Sequence, residues 1–204
     1  METKNTAIGV LIGIIIGFVM GYVLISAKPM HMDDNRKGEL TMPNIESATD
    51  DMHAMHGDMM VKTEQEFLVG MIPHHEEAVA TAQEVLARGA TTPEIKALAE
   101  NIIGSQTREI ALMKQWLQEW YGESYVQNEN YKPMMRDLSQ LSGGALDRAF
   151  LEDMIHHHMG ALMMAKSDES IFKHEDLHTL VHEIEEAQTK EIADMQAYLK
   201  ALPQ

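Results

Sequence analysis

The feature that most constrains this chain is that it repeats itself. Phe67-Leu68-Val69-Gly70-Met71-Ile72-Pro73-His74-His75 aligns with Phe150-Leu151-Glu152-Asp153-Met154-Ile155-His156-His157-His158, and Ala78 and Ala82 match Ala161 and Ala165. A second segment follows each copy: Gln106, Glu109, Ile110, Met113 and Leu117 match Gln188, Glu191, Ile192, Met195 and Leu199. A unit that recurs at this length is one supersecondary element, and it buries its apolar face against its copy.

Each segment reads as a helix. Thr63-x-x-Glu66 has the form of a capping box and predicts a helix from about residue 64. Pro73 falls inside that helix and is expected to bend it, because it removes a backbone donor. Gly89 to Thr92 end it, and Thr92-Pro93-Glu94 opens the next, with proline at the first helical position. Ile95, Leu98, Ile102, Ile110, Met113 and Leu117 then form a stripe at helical spacing. The second copy is expected to begin after Gly143-Gly144, to turn between Lys166 and Lys173, and to continue with Leu177, Val181, Ile184, Ile192, Met195 and Leu199. Residues 121–142 make a longer connection. Two hairpins of amphipathic helices imply an all-α domain over 63–204. It is an antiparallel four-helix bundle with approximate two-fold symmetry, its repeats at 63–120 and 143–201.

That register suggests where chemistry collects. With a turn near residue 90, equal rise along antiparallel helices sets His74 and His75 level with Gln106. Met71, His74 or His75, Gln106, Glu109 and Met113 are therefore expected to cluster near one end of the bundle. Met154, His157 or His158, Gln188, Glu191 and Met195 would do the same in the second copy. Neighbouring residues diverge by about 100° around a helix, so one histidine of each pair is expected to face inward and the other elsewhere. The glutamates suit the role of accepting the second ring proton of a metal-bound histidine. A satisfied polar network in the core accounts for the same residues without metal, and Met113 and Met195 read as core packing.

The chain holds 18 methionines and 11 histidines, and many lie where no core exists to fill. Residues 28–62 have the composition of a flexible linker, broken by Pro29, Gly38, Pro43 and Gly57. Within it stand Met30, His31 and Met32, then Met42, then Met52, His53, Met55, His56, Met59 and Met60. Thioether is a soft ligand suited to Cu(I), and imidazole accepts copper in either oxidation state. The alternative is compositional drift in a solvated tether. Two further arrays share single helix faces: His156, Met159 and Met163, with Met164 beside them, and the ladder His174, His178 and His182. Histidines at i and i+4 can chelate one divalent ion; a solvated ladder without metal is the other reading.

Ahead of the linker, the 21 residues Ala7 to Ala27 carry no charge. As a helix they span roughly 31 Å, enough for a bilayer core. A cleaved signal peptide has an apolar region of only about 7–15 residues, so residues 1–27 are expected to stay as a single-pass anchor. Lys4 on one side, against Lys28, Arg36 and Lys37 on the other, leaves the positive-inside rule undecided. The acidic, cysteine-free remainder favours a bacterial inner membrane with the soluble part in the periplasm. Gly9, Gly13, Gly17 and Gly21 share one face and suit close helix–helix approach, hence homo-oligomerisation, although glycine is also simply common in such helices.

Several function classes are excluded or disfavoured. A net charge of −16, from 16 Lys+Arg against 32 Asp+Glu, argues against nucleic acid as partner. The absence of cysteine removes thiolate sites and disulfides. No Ser/His/Asp arrangement or phosphate loop is apparent.

The doubled Phe-x-x-x-Met-Ile-x-His-His pattern, each copy followed by Gln-x-x-Glu-Ile-x-x-Met, resembles the family known as domain of unknown function 305 over about residues 63–201. The resemblance implies a ferritin-like four-helix bundle, export and, for some members, copper binding through Met and His. His156 departs from the pattern, standing where the first copy and most members carry proline. Met159, Gly160, Met163 and Met164 replace a small polar run. Ferritin-like bundles also host di-iron oxidases, which need four inward carboxylates and two Glu-x-x-His motifs. Here Glu175-x-x-His178 is the clean example and Asp153-x-x-His156 a weak one. A self-associating membrane scaffold with incidental metal is a third reading. The expectation is a non-enzymatic copper protein acting in sequestration, tolerance or handover.

Overall fold

The computed structural model describes residues 60–203 apart from 128 and 130. The expected membrane anchor over 1–27 and the linker up to residue 59 lie outside the described residues. Among the described residues there are four α-helices, one short 3-10 turn and no strands. No described helix is long and apolar enough to cross a membrane.

Helix α1 spans Glu64–Arg88. Its cap works as the sequence implies: the Thr63 hydroxyl accepts the Glu66 N–H at 3.0 Å, and the Glu66 carboxylate turns back to the Lys62 N–H at 2.8 Å. The helix runs through Pro73 and ends at Gly89. Ala90 then adopts a positive φ of 53°. Asp147 from the other copy holds that turn, accepting the N–H groups of Ala90 at 2.6 Å and Thr91 at 2.7 Å.

Helix α2, Pro93–Tyr121, is capped by Thr92 and stops at Gly122, whose φ of 70° suits glycine. Helix α3, Gly143–Ala165, begins at Gly143 itself rather than after the glycine pair. The φ of 54° there is open to a residue without a side chain. A 3-10 turn at Glu169–Ile171 leads to helix α4, Glu175–Ala201.

The helices pair as two antiparallel hairpins. Along α1 and α2, Glu64 meets Tyr121, His75 meets Glu109 and Glu76 meets Lys114. Along α3 and α4, His158 meets Glu191. Helices α1 and α3 also run antiparallel: Gly70 faces Met164, Glu77 faces His157 and Gly89 faces Asp147.

Two apolar clusters result. One gathers Phe67, Leu68, Met71, Ile72, Met113, Leu117, Met164 and Phe172 with the start of α4. The other gathers Ala82, Val85, Ile95, Ile102, Leu146, Phe150, Met154 and Met195. Burying each large apolar side chain contributes about 1.5–3 kcal/mol, so these clusters hold the hairpins together. Met71, Met113, Met154 and Met195 are all fully buried within them, which agrees with core packing for Met113 and Met195.

The connection between α2 and α3 has no helix but is tied down. The Arg88 guanidinium donates to the carbonyls of Leu138, Ser139 and Leu141 at 2.8–3.3 Å. Arg136 pairs with Asp153 through two nitrogens. At the other end, the Val61 N–H reaches the Ser167 hydroxyl at 3.2 Å, so the tether joins the bundle before α1 begins.

Candidate metal centre

Between the two apolar clusters lies a polar layer. His74 and His75 from α1, Gln106 and Glu109 from α2, His157 and His158 from α3 and Gln188 from α4 are each at most 4 % exposed. Glu191 joins them through His158. This corrects two expectations. The layer sits in the middle of the bundle rather than near one end, because α1 begins ten residues before His74 and α2 continues well past Glu109. The two copies also share one layer instead of forming two clusters.

A third expectation is corrected as well: both histidines of each pair are buried. The angular divergence along the helix is real, but in a four-helix array it directs the two rings to two different neighbours. His75 turns to its own hairpin partner, with Nε2 2.8 Å from a Glu109 carboxylate oxygen. His158 does the same with Glu191 at 2.7 Å. His74 and His157 turn to each other, with ring centroids 3.7 Å apart.

The layer is not satisfied by the protein alone. Both nitrogens of His74 and His157 lack a hydrogen-bond partner, as do Nδ1 of His75 and His158 and Oε1 of Gln106 and Gln188. An orphaned buried polar atom costs about 1–3 kcal/mol, and such atoms call for a ligand or another partner.

Charge follows from the same burial. Desolvation, with the neighbouring imidazoles His157, His75 and His158 adding to it, drives the His74 pKa well below its ordinary range. Desolvation also lowers His157 and His158, against the opposing pull of Glu77 and Glu191. These three imidazoles are therefore neutral at pH 7, the state in which imidazole binds metal.

The two copies differ at one point. Three residues past His157 is Gly160, whereas three residues past His74 is Glu77. The Glu77 carboxylate lies 3.4 Å from His157 Nε2, close enough for charge interaction but outside hydrogen-bond geometry. It also accepts the Tyr131 hydroxyl at 2.5 Å and the N–H groups of Met134 and Met135, each at 2.9 Å. Burial works to raise the Glu77 pKa, but His157 and these donors together hold it below the usual carboxylate value. His74, facing Gly160, has no such partner.

The other expected ligands are scattered. Met30, His31, Met32, Met52, His53, Met55, His56 and Met59 lie outside the described residues; Met60 is exposed. His156 is exposed, with Nδ1 2.9 Å from the Glu152 carbonyl, and Met159 and Met163 are half-buried along the same side of α3. Met164 is buried. The ladder on α4 divides. His178 and His182 are neighbours with ring centroids 5.1 Å apart, beside a small cavity lined by Glu169 and Glu185. His174 instead stacks on Trp120 at 3.8 Å, with Nδ1 2.9 Å from Glu64. Among the described residues, no three His, Asp or Glu side chains converge on one point.

Glu77, Met134 and Gly160 belong to this region without having been singled out as site residues. For Glu77 and Gly160 the available signal was the repeat alignment, which sets a carboxylate against a missing side chain. For Met134 it was a methionine pair after Pro133 in a connection with no apolar period.

The described residues thus form an all-helical unit built from a duplicated hairpin with a histidine layer at its centre. A family model described as "Domain of unknown function (DUF305)" matches it over residues 23–117 and 64–199, and the chain belongs to that family. Among solved structures it is similar to CopM in the Cu(I)-bound form, with a TM-score of 0.63 and 33% identity over 69% of this chain and 98% of that one. The Cu(II)-bound form of CopM gives 0.62 and 32% over 69% and 97%. A DUF305 fragment from Deinococcus radiodurans gives 0.56 and 28% over 69% and 98%. No curated protein matches the chain.

Proposed function

We propose that this is a copper-binding protein of the periplasm, anchored by residues 1–27 and acting in copper sequestration, tolerance or handover rather than in catalysis. The observation that carries the reading is the central layer, where neutral imidazoles are buried with their nitrogens unpartnered. A core that keeps such groups gains most from a ligand that accepts nitrogen lone pairs. The likeness to CopM in Cu(I)-, Cu(II)- and silver-bound forms supports copper as the metal. The methionine-rich tether supports it independently, since thioethers in a polar segment have no core to fill.

Within this reading the layer, the exposed His156–Met163 face and the His178–His182 pair are separate binding points. In the oxidase alternative, four carboxylates surround two irons. Here Glu109 and Glu191 are each engaged with one imidazole and Glu77 with the connection, an arrangement that favours binding over di-iron chemistry. The glycine face of residues 9–21 suits self-association in the membrane.

The test is equilibrium competition between the full chain and a chromophoric Cu(I) chelator. The reading expects more than one equivalent of Cu(I) to be withdrawn. No competition at micromolar metal would refute the copper function.

A further inference from the structure

One orphaned nitrogen of His74, Nε2, lies close against Gly160. An ideal Cβ built on Gly160 would meet His74 Nε2 at 3.1 Å, the Met134 methyl at 3.2 Å and Met134 Sδ at 3.3 Å. An imidazole nitrogen from α1 and a thioether sulfur from the connection between the copies therefore close on the same point over Gly160, too tightly for any side chain there. His74 is 1 % exposed and neither of its ring nitrogens has a partner. Met134 is half-buried, so it is partly open to solvent.

The placement of Met134 is built rather than incidental. Its N–H and that of Met135 both donate to the half-buried Glu77 carboxylate, which Tyr131 also holds. Glu77 lies one helical turn beyond His74. The residue that anchors the thioether is thus a near neighbour of the imidazole it faces. The same carboxylate leaves a negative charge beside the two donors, and burying a cation requires such a counter-charge.

We propose that His74 Nε2 and Met134 Sδ, which the fold brings together over Gly160, bind one soft monovalent cation, Cu(I) or Ag(I), between them. The inference rests on the soft-metal reading above and assigns it a place. Both donors are neutral, and thioether selects Cu(I) over harder ions. The His157 ring packs against His74 at a tilt, 3.7 Å between centroids. The two donors can meet because the duplication is broken at one position: a side chain at 160, as at 77, would press on both of them.

The experiment is a silver titration of the full chain labelled with methyl-13C methionine, with the Met134 methyl signal identified by its loss in Met134→Leu. The expected result is that the Met134 methyl and the His74 ring signals move together and saturate at one equivalent. Met134→Leu, close in volume, binds one equivalent less. Gly160→Ala also loses that equivalent, since its methyl pushes the two donors apart, and it keeps the helix content. If silver binds and other methionine signals move while Met134 stays still and both variants bind as much as the parent, this site is wrong and the soft-metal function stands. If no methionine signal moves and no silver is retained, the function itself is overturned.

Discussion

The imidazoles of His74 and His157 pack against each other across the two copies, tilted by 40°, with 3.7 Å between ring centroids. Both are buried, and burial lowers the pKa of each below the ordinary value of 6.5. The unfolded chain therefore takes up these protons first as pH falls, and stability is lost as pH drops through about 6.5. Paired carboxylates begin to act only at lower pH. We expect the melting temperature of the metal-free protein to fall between about pH 7.5 and 5.5, and the slope to shrink in His74→Phe. Circular dichroism melts across that range check it.

Glu77 ties the connection to α1. Glu77→Ala leaves the Tyr131 hydroxyl and the N–H groups of Met134 and Met135 without their acceptor. The expected cost is about 2–3 kcal/mol, read from urea denaturation. Hydrogen exchange should accelerate at Met134 and Met135 while the α2 amides keep their protection.

Glu64 plays the corresponding part at the end of the bundle where α2 finishes and α4 begins. It accepts from the Tyr121 hydroxyl at 3.0 Å, from the His174 N–H at 2.7 Å, from the Lys173 N–H and from His174 Nδ1. Burial works to raise its pKa, and these donors bring it below the ordinary value, so its share of the stability is present above about pH 4.5 and fades below. Glu64→Ala is expected to cost about 2–4 kcal/mol and to release His174 from Trp120. A changed tryptophan emission spectrum in the folded state reports that release.

Tether and bundle are expected to act separately. Replacing methionines 30, 32, 52, 55, 59 and 60 with leucine should lower the Cu(I) stoichiometry and leave the helical circular dichroism unchanged. Unchanged stoichiometry would make the segment a spacer.

Much of this fold is legible in the chain because its signals are local. Thr63 and Thr92-Pro93 mark helix starts, Gly89 and Gly122 mark stops, and the repeat sets the pairing of His75 with Glu109 and of His158 with Glu191. What a single helix cannot reveal is its second neighbour. Divergence along α1 was compatible with one outward histidine; contact with α3 turned that ring inward as well. His174 left its ladder for a similar reason, since its spacing with His178 says nothing of Trp120 on α2. Met134 has no periodic signal at all. Its place depends on Glu77, far away in sequence, and on the absence of a side chain at Gly160.

The central claim is that methionine and histidine side chains hold a soft metal in this protein. Crystals of the full chain soaked with silver, and mapped by anomalous scattering, test it most directly. The account predicts silver peaks bounded by thioether and imidazole donors, one of them between His74 and Met134. Peaks only against surface carboxylates, with none beside any methionine or histidine, would contradict it.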